Sequence, residues 1–230
     1  MPTTRTERAK TARYHRKREQ VVDVAVELFS KNGYASTGVA DIGAAAGLAR
    51  GALYYYIGAK EELLAEIHDR VMDPLLTEAS AIVRLDIGFQ TRLRLLSESL
   101  LRQIVHRQDH VWVFLHEHHQ LQGEYRTRFR AKRQRFESQI RDVLADGHRQ
   151  GKLRVRDLEL TTLAYLNLHN YTYQWVGRRA DLKVDELARF YCEIFLNGIL
   201  VERVDESATE AELAHGRSVL GVLLAKGLDH

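Results

Sequence analysis

The chain has 230 residues, with 34 Lys and Arg against 31 Asp and Glu, 11 His, one Cys and two Pro. Its 45% hydrophobic content is enough for a packed core, which excludes a wholly disordered chain, and its length suits two domains. The single Cys192 excludes an internal disulfide framework. No run approaches the ~20 apolar residues that cross a bilayer, and no apolar leader follows the N-terminal charges. A cytoplasmic protein with no membrane partner is expected.

The net charge of +3 is unevenly placed. Arg5, Arg8, Lys10, Arg13, Arg16, Lys17 and Arg18 face only Glu7 and Glu19 in the first twenty residues, so the rest of the chain is slightly acidic. A basic arm over residues 1–15 that meets a polyanion is expected. It either extends the first helix or precedes it as a solvated tail.

In chain order, the 3.6-residue period of apolar positions recurs throughout and period-2 alternation does not, so the fold class is all-α. Val21, Val22, Val24, Ala25, Leu28 and Phe29 define a first helix, stopped at Asn32-Gly33. Val39, Ile42, Gly43 and Ala46 make a short second helix that Gly47 closes, and a third runs from Arg50 to Ile57 around Leu53. Two short helices joined by a tight glycine turn predict a helix-turn-helix over 39–57. A fourth helix starts near Lys60 and is expected to kink or end at Pro74. Further helices are predicted at about 89–107, 109–119, 124–150, 157–176, 184–203 and 208–226, with breaks at 86–88, 147–152 and 177–181. This divides the chain into a DNA-binding domain, 1–60, and a ligand-binding and dimerisation domain, 61–230.

Residues 16–64 carry an ordered set of spaced elements: "A..LF...GY", "ADIGAAAGL", "G.LYYY" and "KEELL". This set resembles the DNA-binding domain of the TetR/AcrR family of transcriptional regulators. With Leu53 turned inward, Arg50, Gly51, Ala52, Tyr54, Tyr55 and Tyr56 remain to face a major groove. There an Arg can read guanine, and tyrosines can reach phosphates and thymine methyls. The resemblance aligns Arg50, Gly51, Tyr54, Tyr55 and Tyr56 with base- and phosphate-contacting positions, and Lys60 with a phosphate-binding lysine. Thr37 is a candidate backbone donor, and Arg16 and Arg18 are candidate phosphate contacts. Ala49 and Ala52 depart from the hydroxyl residues common in the family, so the operator sequence is this chain's own.

The resemblance also implies a homodimer in which two C-terminal helices of each subunit, here those at 157–176 and 184–203, make a four-helix bundle. Leu187, Tyr191, Ile194, Phe195 and Gly198 form an apolar stripe suited to that role, part of which should be internal core. Polar and aromatic groups on otherwise apolar helices, Trp112, His116, His119, Asn167, Asn170, Tyr173 and Trp175, are candidate ligand-binding residues for a hydrophobic effector. The C-terminal part loosely resembles TetR-family regulators of lipid and sterol catabolism that respond to acyl-CoA. The basic run "RTRFRAKRQR" at 126–135 would then be a phosphate-binding rim or, alternatively, a solvated helix face. The function expected is a ligand-responsive repressor of a pseudo-palindromic operator in double-stranded DNA, released by a small molecule, with no cofactor and no catalysis. A metal-responsive regulator using His116 and His119, and an all-α enzyme, are the alternatives.

Overall fold

The computed structural model describes residues 5–179, 181–199 and 206–227. All regular elements among them are helical: α1 (Arg5–Asn32), α2 (Val39–Ala45), α3 (Arg50–Ile57), α4 (Lys60–Ile82), α5 (Phe89–His106), α6 (Gln108–His116), α7 (Gly123–Arg149), α8 (Leu158–Asn170), α9 (Val184–Asn197) and α10 (Glu206–Gly227). The arm is helical from Arg5 onward. The side chains of Arg5, Arg8 and Lys10 lie outside the described residues, as does the expected helical stretch 200–203.

Two compact units result, residues 1–71 with 109–130, and residues 72–108 with 131–230. A cut after residue 60 follows the sequence, whereas packing divides the chain within α4 and α7. The reason lies in the first unit's core. Phe29 of α1, Ile42 of α2, Leu53 of α3 and Leu64 of α4 are fully buried there, together with Val113, Leu121 and Phe129 from far along the chain. Each such side chain contributes on the order of 2 kcal/mol by leaving water, so residues 109–130 are part of this unit's stability. Between α2 and α3, Gly47 takes φ +64°, a conformation that side chains with a Cβ avoid, and thereby makes the tight turn.

In the second unit α5 lies at the centre, against α8, α9 and α10. Its residues from Leu93 to Leu101 are all buried, polar ones included. Of the kink or end expected at Pro74, the end is corrected, since α4 continues to Ile82. Burial of Met72, Leu75, Leu76 and Ala79 holds the helix beyond the missing proline N–H. The expected break over 147–152 is present: α7 ends at Arg149, and Gly151 takes φ +69° just beyond it. Gly147 stays within α7 because a Cβ there would come within 2.8 Å of Phe89 and Leu153, so glycine marks a close crossing. Helix α8 ends at Asn170 and gives way to 3₁₀ turns at Tyr171–Gln174 and Val176–Arg178. The buried Thr172 hydroxyl meets Tyr191 Oη at 2.9 Å, which fixes this irregular path. Helix α10 is a docked element: Leu213 and Leu220 are buried, and Glu212 accepts the N–H of Gly88 ahead of α5 at 3.0 Å.

Candidate nucleic-acid interface

Helix α3 is eight residues long, and its two buried side chains, Leu53 and Ile57, fix which face turns outward. Arg50, Gly51, Ala52, Tyr54 and Tyr55 are all exposed, Tyr55 at 70%. No atom lies within 4 Å of where a Cβ on Gly51 would stand, so its backbone is open to an approaching surface. The Arg50 guanidinium lies 5.9 Å from the Tyr54 ring centroid, a cation–π spacing that keeps the charge beside the exposed aromatics. Surface aromatics in such density are uncommon on a merely solvated face.

The outward face is braced from α1. Tyr14 stacks on Tyr56 with ring centroids 5.3 Å apart and meets Tyr55 edge-on at 5.4 Å. Arg18 donates Nε–H to the Tyr56 carbonyl at 3.0 Å and pairs with Glu66 of α4. Lys17 donates from Nζ to the carbonyl of Ala46, the residue that closes α2, at 3.1 Å. Both cations therefore satisfy carbonyls at helix C-terminal ends, where the last turn has no internal partner and positive charge is favoured. Arg16 is exposed. Sequence reasoning missed Tyr14, although Tyr14, Arg18, Val21 and Ala25 follow the spacing of one helix face.

Two of the sequence candidates turn inward. Thr37 is 1% exposed, its hydroxyl donates to the Gly33 carbonyl at 2.9 Å, and its N–H bonds to the Tyr34 carbonyl at 3.3 Å. Lys60 donates from Nζ to the Tyr34 carbonyl at 2.5 Å, with the ammonium 4.1 Å from the Tyr34 ring centroid. Burial lowers the Lys60 pKa, while Glu117 and Asp41 pull the other way. Glu117 is a second residue the sequence did not flag. It is buried just after α6 and accepts the Tyr34 N–H at 3.2 Å. Glu61 in turn accepts the N–H of Gln122 at 2.8 Å. Residues 109–130 are thus fastened to the turn before α2 and to the start of α4.

An exposed recognition helix following a tight glycine turn, braced by α1 and α4, is the arrangement of a helix-turn-helix DNA reader. Residues 21–67 match the family model described as bacterial regulatory proteins of the tetR family, and residues 88–199 match that of the tetracyclin repressor-like C-terminal domain. The TetR-family regulator PfmR from Thermus thermophilus is 30% identical in sequence, with a TM-score of 0.71 over 80% of this chain and 99% of that one.

The chain belongs to the TetR family.

The transcriptional repressor KstR2 of Mycobacterium tuberculosis is 27% identical over 192 residues, which is 82% of this chain and 95% of that protein. AibR, solved in complex with isovaleryl coenzyme A and operator DNA, shares the fold with a TM-score of 0.69 at 23% identity, over 77% of this chain and 97% of that one. This TetR-family chain is accordingly a DNA-binding transcription regulator, and no helix among its described residues is long and apolar enough to cross a membrane.

The structure divides the candidate ligand residues of this regulator between its two units. Trp112, His116 and His119 belong to the first. Trp112 packs against the core and stacks on His116 with centroids 4.5 Å apart, and His116 Nδ1 meets the Trp112 carbonyl at 2.9 Å. His119 is exposed. Among the described residues no three His, Cys, Asp or Glu side chains converge on a metal position. In the second unit Asn167 is exposed, and Asn170, Tyr173 and Trp175 are half-buried around the 3₁₀ turns that follow α8. The apolar stripe of α9 also divides. Leu187 and Tyr191 face the core and Phe195 meets the Tyr165 ring, whereas Ile194 and Gly198 are exposed.

Proposed function

We propose that this regulator is a homodimeric repressor that reads a pseudo-palindromic operator with α3 and releases it on binding a hydrophobic small molecule, an acyl-coenzyme A thioester being the leading class. The observation that carries the DNA reading is the exposed row Arg50, Gly51, Ala52, Tyr54 and Tyr55 on a helix whose inner face is locked. One such helix reads too few base pairs for useful specificity, so two copies on half-sites about one turn (~34 Å) apart are required. Exposed apolar side chains of the regulatory unit, Leu160 on α8 with Phe190 and Ile194 on α9, supply a surface for a second copy.

The effector class rests on relatives. KstR2 is named a repressor, and AibR was solved with both isovaleryl coenzyme A and operator DNA. Asn167, Asn170, Tyr173 and Trp175 are the proposed effector-facing group of the regulatory unit. Helix α4, continuous from Lys60 in the first unit to Ile82 in the second, is the proposed element through which effector binding reaches α3. A switch of this kind needs a coupling free energy of about 1–3 kcal/mol between the two sites.

Fluorescence anisotropy with DNA from upstream of the protein's own gene tests the reading. Binding should weaken steeply with salt, Arg50→Ala should flatten discrimination between operator variants, and an acyl-coenzyme A should release the DNA. Affinity independent of salt, or normal discrimination by both Arg50→Ala and Tyr55→Ala, would remove α3 from the interface.

A further inference from the structure

We infer that the groove between α4 and α7 in the second unit is a seat for a phosphate-bearing small molecule. The groove is open to solvent and offers about 550 Å³, which is more than a bare phosphate needs and within the ~300–1,000 Å³ of sites that take organic ligands. Its α4 wall presents Asp73, Leu76, Thr77 and Ser80, one face of the helix by their spacing, and ends at Arg84 just beyond it. Opposite stand Ala131, Lys132 and Arg135 of α7.

Charge decides what such a groove takes. Three cations face one carboxylate, and Lys132 is already tied to Asp73. Arg84 and Arg135 are exposed and have no carboxylate partner among the described residues. Two positive charges are therefore uncompensated, matching the charge of about −1.5 to −2 on a phosphate monoester at neutral pH. A guanidinium offers paired N–H donors in the geometry of two phosphate oxygens, which suits Arg to this task.

The hydroxyls sharpen the assignment. Thr77 spends its proton on the Asp73 carbonyl at 2.8 Å, while Ser80 accepts from Gln139 at 2.8 Å and so keeps its own proton available to a ligand oxygen. Leu76, almost fully buried, and Ala131 give an apolar surface for the organic part. A duplex is read by elements that protrude into its grooves, whereas this is a concave seat of small-molecule size. The inference deepens the effector reading, on which it rests in one respect: it assigns a place to the phosphates of a coenzyme thioester.

Isothermal titration of the full chain with coenzyme A, ADP and pyrophosphate, and with phosphate-free pantetheine as the contrast, is the test. Coenzyme A and ADP should bind at least tenfold more tightly than pantetheine. The double variant Arg84→Gln/Arg135→Gln should lose at least that factor with an unchanged unfolding midpoint, since both side chains are exposed. Asp73→Asn removes the one carboxylate that lines the groove and should tighten binding. Equal affinity for phosphate-bearing and phosphate-free probes, or undiminished binding by the double variant, would overturn the seat. If coenzyme A binds here and neither it nor its thioesters release operator DNA, the seat stands and the effector reading falls. If an acyl-coenzyme A releases DNA equally well from wild type and double variant, the effector reading stands and the seat falls.

Discussion

Arg18 and Tyr56, 38 positions apart, are joined by a 3.0 Å hydrogen bond from the guanidinium Nε to the main-chain carbonyl. The bond ties the basic arm's helix to the last turn of α3, and the Arg18–Glu66 pair extends the tie to α4. A residue whose charge alone suggests phosphate contact is thereby a strut for the recognition helix. Arg18→Ala should lower the stability of the DNA-reading unit by about 1–2 kcal/mol, the usual worth of a charge-assisted hydrogen bond after discounting for a side chain one-third exposed. Urea unfolding followed by tyrosine fluorescence measures this. An unchanged midpoint would show that the strut carries no load.

Lys60 poses a sharper alternative. A lysine on phosphate contributes about one unit to the slope of log affinity against log salt, while a lysine holding a protein carbonyl contributes nothing to that slope. Because Lys60 is bound to the Tyr34 carbonyl and lies over the Tyr34 ring, Lys60→Met should loosen the turn ahead of α2, lower the unfolding midpoint and leave the salt slope intact. A slope reduced by one at unchanged stability would place the ammonium on DNA instead.

The helical fold and the DNA-reading segment were legible because they are written locally. Apolar spacing, the Asn32-Gly33 stop, the Gly47 turn and the row from Arg50 to Tyr56 all act within a few residues of themselves. What was not legible depends on partners distant in sequence. No local signal says that Phe129 is buried with Phe29, or that Glu117 will hold the Tyr34 N–H 83 positions away. The same holds for Lys60, whose ammonium donates to the Tyr34 carbonyl 26 positions away. Nor does any local signal say that a Cβ at Gly147, inside α7, would run into Phe89 and Leu153.

Two buried histidines should make stability fall in mild acid. His68 bonds through Nδ1 to the Leu64 carbonyl at 2.8 Å, so Nδ1 carries the proton, and Nε2 is left without a partner beside the Phe114 and Phe129 rings. Burial pushes its pKa down to about 4, with nearby His118 adding to the shift while the Leu64 carbonyl and Asp69 oppose it. His169 bonds to the Tyr165 carbonyl at 2.7 Å and meets Ser97 Oγ at 2.6 Å, and full burial pushes it to about 4 as well. Both are neutral when folded, whereas the unfolded chain takes up protons as pH falls below ~6.5. Each therefore contributes stability of about 3 kcal/mol that is present above pH ~6.5 and lost progressively toward pH ~4. Between pH 6.5 and 5, before ordinary carboxylates titrate, the urea midpoint should drop, and His68→Leu should remove about half of that slope. A flat midpoint over this interval would mean that the two rings are not held neutral.

Helix α10 lies beyond the residues matched by the C-terminal family model, and its removal should expose the centre of the second unit. Glu212 accepts from Gly88 N and Thr91 Oγ1, Glu210 reaches Arg94 at 3.4 Å, and Arg217 donates to Glu98 through both Nε and Nη2. A Cβ on Gly216 would meet Leu95 at 3.1 Å, so the helix backbone lies close against α5. Burial of Leu213 and Leu220 is worth about 3–6 kcal/mol together, before the ordering of the helix is counted against it. A chain ended at residue 205 should therefore melt several degrees lower, since 1 kcal/mol moves Tm by roughly 2–4 °C at this size. Arg217→Ala leaves the buried Glu98, among the described residues, with Arg94 on its own helix as its ion-pair partner, and its cost should be smaller, about 1–2 kcal/mol, because the Arg217 side chain is 39% exposed. Differential scanning calorimetry of both variants reads the difference. A truncated chain that melts within a degree of the full chain would mean that α5 is stable without its cover.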